Sequence, residues 1–504
     1  MKRIRKIISI SLITISSLSA LSLDELKDMP KSIEKDFYIW RFISDNNTSK
    51  EDAIKSAKMI FRINSKLAKA YNKKTSLTLP KRVYKPSKAN IDRYKIVMKQ
   101  LKTSNNFYQS WLNLNNSDKL IVFILGGKEI RTKLDHKLDT KTYENLTKEW
   151  NINQFIFRVL KDNLPNLKDT ILNSKPIKAN RISYNNLLLL GFRDLKLGNR
   201  YNASYFFYNA FYKAPTRFYA DRAIFWLYMA TKKSQYLQKV AHSYDFNMYK
   251  LIALDFLNKP YPMPATAKLN KINNANINVT NPIEWAKLKK KIFAKKANWQ
   301  VLEKKYNSIY TASYYYYILN KASHDTKQYF PILHKEILNK YPINRQAMLL
   351  ALGRQESHFI PASVSSSFAL GMMQFMPFLV KHIAKVRHQS IKLEDMFNPK
   401  IALEFANTHL DYLNKHLYNP IFVAYAYNAG IGYTRRMLRK NIFKDGAYEP
   451  YISLEMVDNS QANHYAKKVL ANYVIYRMLL GKPIKITKII NELLHPKLTD
   501  RFRK

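Results

Sequence analysis

Gln355-Glu356-Ser357-His358-Phe359-Ile360-Pro361, followed by Gly371-Met372-Met373-Gln374-Phe375-Met376-Pro377, is the stretch on which the reading of this 504-residue chain turns. Upstream, Pro342-Ile343-Asn344 ends a loop, and Asn344 is suited to cap a helix from Arg345 to Glu356. Ala347, Met348, Leu350 and Ala351 make that helix mostly apolar, so Glu356 arrives at its C-terminal end. The negative end of the helix dipole and desolvation by Phe359 and Phe368 both disfavour a carboxylate there, and raise its pKa. A proton held near neutral pH is what a general acid needs. A Glu at a helix end is usually just solvated. The Ser-rich loop and the Gly-x-x-Gln turn that follow make this one specific.

Working outward, composition sets the bounds. A chain of this length exceeds one small core and predicts two or three domains. Hydrophobic residues at 46% suffice for burial, and only 10 glycines point to a largely helical, all-α protein. Lys2, Arg3, Arg5 and Lys6 precede an apolar run from Ile7 to Leu18, and Ala20-Leu21-Ser22 offers small residues for cleavage, so residues 1–22 read as a secretory signal. The run is Ser-punctuated and shorter than the ~20 residues of a spanning helix, and no later segment is apolar enough to span. With no Cys, disulfides, thiol chemistry and a lipid-anchor cysteine are excluded. The net charge of +49 favours polyanions such as nucleic acid, acidic lipid or a carboxylate-bearing cell wall. Lys and Asn are spread rather than clustered, however, and no nucleic-acid motif is present, so nucleic acid is not the expected partner.

From Asp24 to about Lys327 the pattern is helical hairpins. Leu187, Leu190, Gly191, Leu195 and Leu197 form one stripe that Gly198 breaks; Tyr201, Ala203, Tyr205, Tyr208 and Ala210 begin the return helix, which Pro215 stops. Small residues beside large aromatics suit helix crossings. No clean repeat period appears, so residues 23–257 are expected to form an irregular α-superhelical solenoid. All six Trp (Trp40, Trp111, Trp150, Trp226, Trp285, Trp299) lie before Lys327 and are expected mostly in the core. Pro260, Pro262 and Pro264 mark the loop that opens a connector over 258–327. Six of the ten glycines fall after Gln328, where a separate domain, 328–480, is expected; the basic tail 481–504 is expected to pack loosely.

Ala426-Tyr427-Asn428-Ala429-Gly430-Ile431-Gly432 follows the Glu356 motif. Together these stretches resemble the soluble lytic transglycosylases, cell-wall enzymes with a goose-type-lysozyme-like catalytic domain. The resemblance is strong over about residues 328–476 and weak before. It implies an N-terminal helical solenoid, a lysozyme-like α domain, Glu356 as the catalytic acid/base, and a substrate groove containing Ser365, Gln374, Met376, Tyr427 and Asn428. Gly430 and Gly432 are expected to permit φ > 0 at the helix end. Departures are Ser363 where Ala or Val is commoner, Met372 for a usual Leu, and a degraded closing motif. Where the family shows Glu-Thr-Arg-x-Tyr, this chain has Gln461-Ala462-Asn463-His464-Tyr465, with Glu455 six residues earlier. Gln461, Tyr465 and Glu455 are carried as substrate-binding candidates.

Ordinary glycosidases need two carboxylates. Glu394, Asp395, Glu404 and Asp411 read as surface charges on or beside a helix, so the substrate must supply its own nucleophiles. The resemblance implies a murein lytic transglycosylase: Glu356 protonates the leaving oxygen of the MurNAc-GlcNAc β-1,4 bond, then takes the proton from the muramyl 6-hydroxyl as it closes on C1 to a 1,6-anhydro end. Two rivals are a goose-type-like hydrolase and a catalytically weak scaffold for other wall proteins; the intact Glu356, Gln374 and Tyr427-Asn428 set argues against the second. No metal spacing is present among the 11 His, and no cofactor is expected. Expected partners are peptidoglycan glycan strands and cell-wall synthesis or remodelling proteins, in the periplasm.

Overall fold

The computed structural model describes residues 21–80, 87–162, 164–173 and 181–503. Residues 1–20 of the expected signal lie outside them. Among the described residues the chain is all-α, with isolated β-bridges and no strands. It divides into two compact units, each drawn from three segments: Met1–Arg82, Leu269–Ile318 and Glu356–Phe405 form the first, and Val83–Lys268, Leu319–Gln355 and Ala406–Lys504 the second.

In the first unit the Ile33–Ser44 helix packs on the Lys50–Ala57, Ser65–Thr75 and Pro282–Ile292 helices. Its N-cap, Ser32, accepts from the Lys35 N–H. Phe37, fully buried, meets Phe368 and Phe397 edge-on, both at 6.0 Å between ring centroids. Trp40 stacks on Phe368 at 5.5 Å. Arg41 pairs with Glu394 at 2.8 Å, Asn64 donates to the Ser366 carbonyl, and Lys66 to that of Ser367. These contacts bind the loop after Glu356 to helices from the start of the chain.

In the second unit the Tyr184–Lys196, Arg200–Tyr212, Arg217–Thr231, Ser234–Ala241 and Met248–Phe256 helices each pack on the next. Gly198 at φ +80 makes the turn that breaks the first of them from the second. Gly191 is what the crossing requires, because a Cβ there would lie 2.4 Å from the Phe207 ring. Trp226 sits against Phe192 and Phe207. No helix interrupts residues 257–281, as the proline run predicts. The Pro420–Ala429 helix packs on the long Ser460–Leu479 helix.

Two expectations need correcting. The tail after Gly481 does not pack loosely: Ile486, Ile490 and Leu493 are fully buried, and Asn419 donates to the Ile489 carbonyl. Its isoleucines, masked in the sequence by intervening lysines, provide an apolar face. The tryptophans are also mixed. Trp111, Trp226 and Trp285 are core, Trp40 and Trp299 are half-buried, and Trp150 is 82% exposed with the Arg181 guanidinium over its ring.

Candidate functional site

The Ile343–Ser357 helix carries Glu356 in its last turn, half-buried. It begins earlier than Asn344 capping would allow, because the Pro342 carbonyl already accepts from Gln346, and Asn344 lies within the first turn. The helix stops where His358 and Phe359 take φ of +54 and +64, ahead of Pro361. The Ser357 hydroxyl donates to the Met372 carbonyl at 2.8 Å, fastening the helix end to the loop.

That loop is built on itself. Leu370 and Phe375 exchange both backbone hydrogen bonds at 2.9 Å, and Gly371 N–H donates to Ser363. Gly371 sits at φ +72, where a Cβ would be 2.0 Å from the Met396 carbonyl oxygen; only glycine fits. The Gln374 side-chain nitrogen donates to the Gly371 carbonyl at 2.8 Å and to that of Ser363 at 3.3 Å, so it shapes the loop. Ser365 Oγ accepts from the backbone of Ala369 and Ser367. Met376 is half-buried at the start of the Pro377–Val386 helix, whereas Met372 and Met373 are core. His358, Phe359, Phe368 and Gln374 are all non-glycine residues at positive φ within this short stretch. Such strain costs of order 1–3 kcal/mol each and clusters at functional sites.

The second unit holds the other candidates. Tyr427 and Asn428 are half-buried in the last turn of the Pro420–Ala429 helix, with the His409 ring 5.5 Å from that of Tyr427. Gly430 at φ +83 ends that helix. Gly432 does not share this role: the next helix, Ile431–Arg439, starts at once and encloses it. Gln461 is exposed in the first turn of the Ser460–Leu479 helix, and Tyr465, one turn on, is buried. The first unit therefore groups Glu356, Ser365, Gln374 and Met376, and the second groups Tyr427, Asn428, Glu455, Gln461 and Tyr465.

Glu455 is placed differently from the sequence reading. Its side chain is 1% exposed. One carboxylate oxygen accepts from Trp226 Nε1 at 2.9 Å and the Tyr249 hydroxyl at 2.8 Å; the other meets Arg222 at 2.6 Å and Lys467 at 2.5 Å. Burial pushes this carboxyl up, but Arg222, Lys467 and the hydrogen bonds outweigh it and hold it at about 2. Burial and the neighbouring cations push His464 down to about 4. The carboxylate thus locks the Ser460–Leu479 helix to the Arg217–Thr231 and Met248–Phe256 helices. Sequence reasoning missed all four partners. The one available signal was Lys467-Lys468 inside an apolar helix, where one of two adjacent lysines must face inward. The other carboxylates considered are engaged too: Glu394 with Arg41, Asp395 accepting from the Lys392 N–H at 2.7 Å, Glu404 with Arg387 at 3.0 Å, Asp411 with Arg345 at 2.7 Å.

The sequence profile of the transglycosylase SLT domain matches residues 334–449. The chain is 27% identical over 229 residues to the soluble lytic murein transglycosylase of Escherichia coli K12, a match covering 43% of this chain and 34% of that protein. It is 31% identical over 135 residues to a putative soluble lytic murein transglycosylase of Haemophilus influenzae, covering 26% of this chain and 22% of that one. These matches thus span about a third or less of the relatives' length. In fold, the chain is similar to the crystal structure of the 70-kDa soluble lytic transglycosylase from E. coli, at a TM-score of 0.52 and 17% identity, over 95% of this chain and 85% of the other. Residues 334–449, which contain Glu356 and its strained loop, are thus similar to the transglycosylase SLT domain.

Proposed function

We propose that this chain is an exported murein lytic transglycosylase that cleaves the MurNAc-GlcNAc β-1,4 bond and leaves 1,6-anhydro-MurNAc ends. The observation that carries the reading is the setting of Glu356: half-buried at the end of an apolar helix, inside the matched domain, and followed by a strained loop folded around Gly371. Glu356 donates its proton to the departing GlcNAc oxygen as the C1–O bond breaks. The N-acetyl carbonyl of the substrate supports the cationic centre. The carboxylate then accepts the proton of the muramyl 6-hydroxyl as that oxygen bonds to C1, which returns Glu356 to its starting state and consumes no water. Ser365, Met376, Tyr427, Asn428, Gln461 and Tyr465 are the proposed substrate-facing set, and Glu455 supports it from the interior. Residues 23–257 act as solenoid, 258–327 as connector, 328–480 as catalytic domain and 481–504 as its packed tail. Residues 1–22 direct export to the periplasm; among the described residues no helix is long and apolar enough to cross a membrane.

The test is the product. Mass spectrometry of muropeptides released from purified murein should show anhydro ends, about 20 Da lighter after borohydride than reduced hydrolysis products, as intramolecular capture in place of hydrolysis requires. Predominantly reducible ends would make water the nucleophile and leave the hydrolase reading.

A further inference from the structure

We infer that the Arg200–Tyr212 helix carries a second glycan-binding face, which grips a β-1,4-linked aminosugar strand away from the bond being cut. The inference rests on the murein reading above. Tyr201, Tyr205, Tyr208 and Tyr212 recur at intervals of four, three and four residues, which aligns them in one stripe. The stripe faces outward: Tyr201 is 84% exposed, Tyr212 68% and Tyr208 47%, with Tyr205 half-buried. Ala203, Phe206, Phe207 and Ala210 of the same helix are buried. A single exposed aromatic needs no explanation. Four in register on one helix do.

The chemistry of the stripe selects the partner. Every residue in it joins an apolar ring to a hydroxyl, and none is aliphatic, which suits the C–H faces and hydroxyls of pyranoses better than a protein's apolar core. Tyr208 and Tyr212 are set against each other, with ring centroids 5.0 Å apart at 65° and hydroxyls 3.0 Å apart. Rings already held lose less entropy on binding. Tyr201 to Tyr208 and Tyr205 to Tyr212 are both seven-residue steps, about 10.5 Å along the axis at 1.5 Å per residue, close to one disaccharide of an extended β-1,4 chain. Each pair would therefore meet equivalent sugar faces. Lys239 lies over the Phe211 ring at 4.4 Å and acts electrostatically on Tyr208, offering a countercharge to the carboxylates of peptide stems.

The experiment compares the full chain with a Tyr201→Ser, Tyr208→Ser, Tyr212→Ser triple variant, both in a Glu356→Gln background that prevents digestion. Binding is read by co-sedimentation with peptide-stripped glycan strands and with intact sacculi, at ~0.5 M salt to screen the non-specific attraction of a chain of charge +49. Affinity for stripped strands should fall at least tenfold, with circular dichroism and melting unchanged because the residues are exposed. The matching triple Phe variant, which keeps the rings, should retain most of the binding. Equal binding by parent and Ser variant overturns the inference. Loss on sacculi but not on stripped strands would put peptide stems against the face, and overturns the glycan assignment. Failure of the murein reading is read separately, as absence of anhydro products from the otherwise unaltered chain.

Discussion

Replacing Glu455 by Gln removes the negative charge from a cluster that keeps two positive ones. Arg222 and Lys467, with side chains only 10% and 2% exposed, would then face an amide. Breaking a buried ion pair by removing one partner costs ~3–5 kcal/mol, because the remaining charge is left without compensation. The ionisation of the group points the same way. Its carboxyl is held at about 2 against an ordinary 4.5, and at ~1.4 kcal/mol per pH unit that is about 3 kcal/mol. The folded value lies below the unfolded one, so this contribution is present above about pH 4.5 and is lost as pH falls towards 2. Chemical denaturation of the full chain, followed by circular dichroism and by Trp fluorescence, should show Glu455→Gln less stable by ~3–5 kcal/mol at pH 7. Lys467→Met added to it should recover part of the loss, since one of the two uncompensated cations is then gone. Wild type should also lose stability more steeply than Glu455→Gln between pH 5 and pH 2. A Glu455→Gln chain within about 1 kcal/mol of wild type, or strictly additive losses in the double variant, would refute the buried-clamp account.

Other substitutions test the rest of the site. Glu356→Gln should lower murein cleavage by ~10²–10⁴-fold or more, since the isosteric amide can neither give nor retrieve a proton; a well-folded variant within a few-fold of wild type would remove Glu356 from the chemistry. Gln461→Glu should change the rate modestly and leave the product unchanged if position 461 only hydrogen-bonds substrate; a gain of orders of magnitude would mean that an essential carboxylate has been lost. Gly371→Ala must resolve a 2.0 Å approach to the Met396 carbonyl at φ +72, so it should destabilise by at least ~2 kcal/mol and depress activity; an unchanged melting temperature would contradict the geometry. Burial raises the Asp36 carboxyl to about 6 despite donation from the Phe61 and Arg62 N–H groups. A carboxyl raised on folding takes stability away as pH climbs from about 4 to 6, and Asp36→Asn should flatten that decline in a pH series of melts; a wild type with no decline would dispose of the assignment.

The all-α class and the hairpin at 184–230 were legible because periodicity, Gly198 and Pro215 are local signals, and local signals survive in one dimension. The Glu356 loop was legible for a related reason. Its turn needs Gly371 and Gln374 a fixed number of residues apart, so the constraint is written in the spacing. What could not be read is the grouping. The boundary between the two units falls inside one helix, between Gln355 and Glu356, and Phe368 is packed by Phe37 and Trp40 from more than three hundred residues earlier. Nor does the sequence mark Arg222, Trp226 and Tyr249 as partners of Glu455, because each sits on an ordinary solenoid helix whose inward face is set only by packing.

The position of Glu455 has a consequence for mechanism. Glu455, carried as a substrate-binding candidate, lies six residues before Gln461 of the degraded motif. With both oxygens committed to four side chains and its side chain 1% exposed, it is a poor base for water or substrate. Glu394, Glu404 and Asp411 are held in ion pairs of their own. On the proposed reading Glu356 then runs both halves of the reaction, and the competition for C1 is between water and the muramyl 6-hydroxyl. A tethered, aligned hydroxyl has an effective molarity of ~10⁵ M or more, against ~55 M for bulk water, so capture by the sugar wins wherever the groove holds that hydroxyl over C1. Hydrolysis would need a positioned base to reverse that margin. Reducible ends from this chain would therefore mean that a base, Glu356 itself included, delivers water to C1 against that margin.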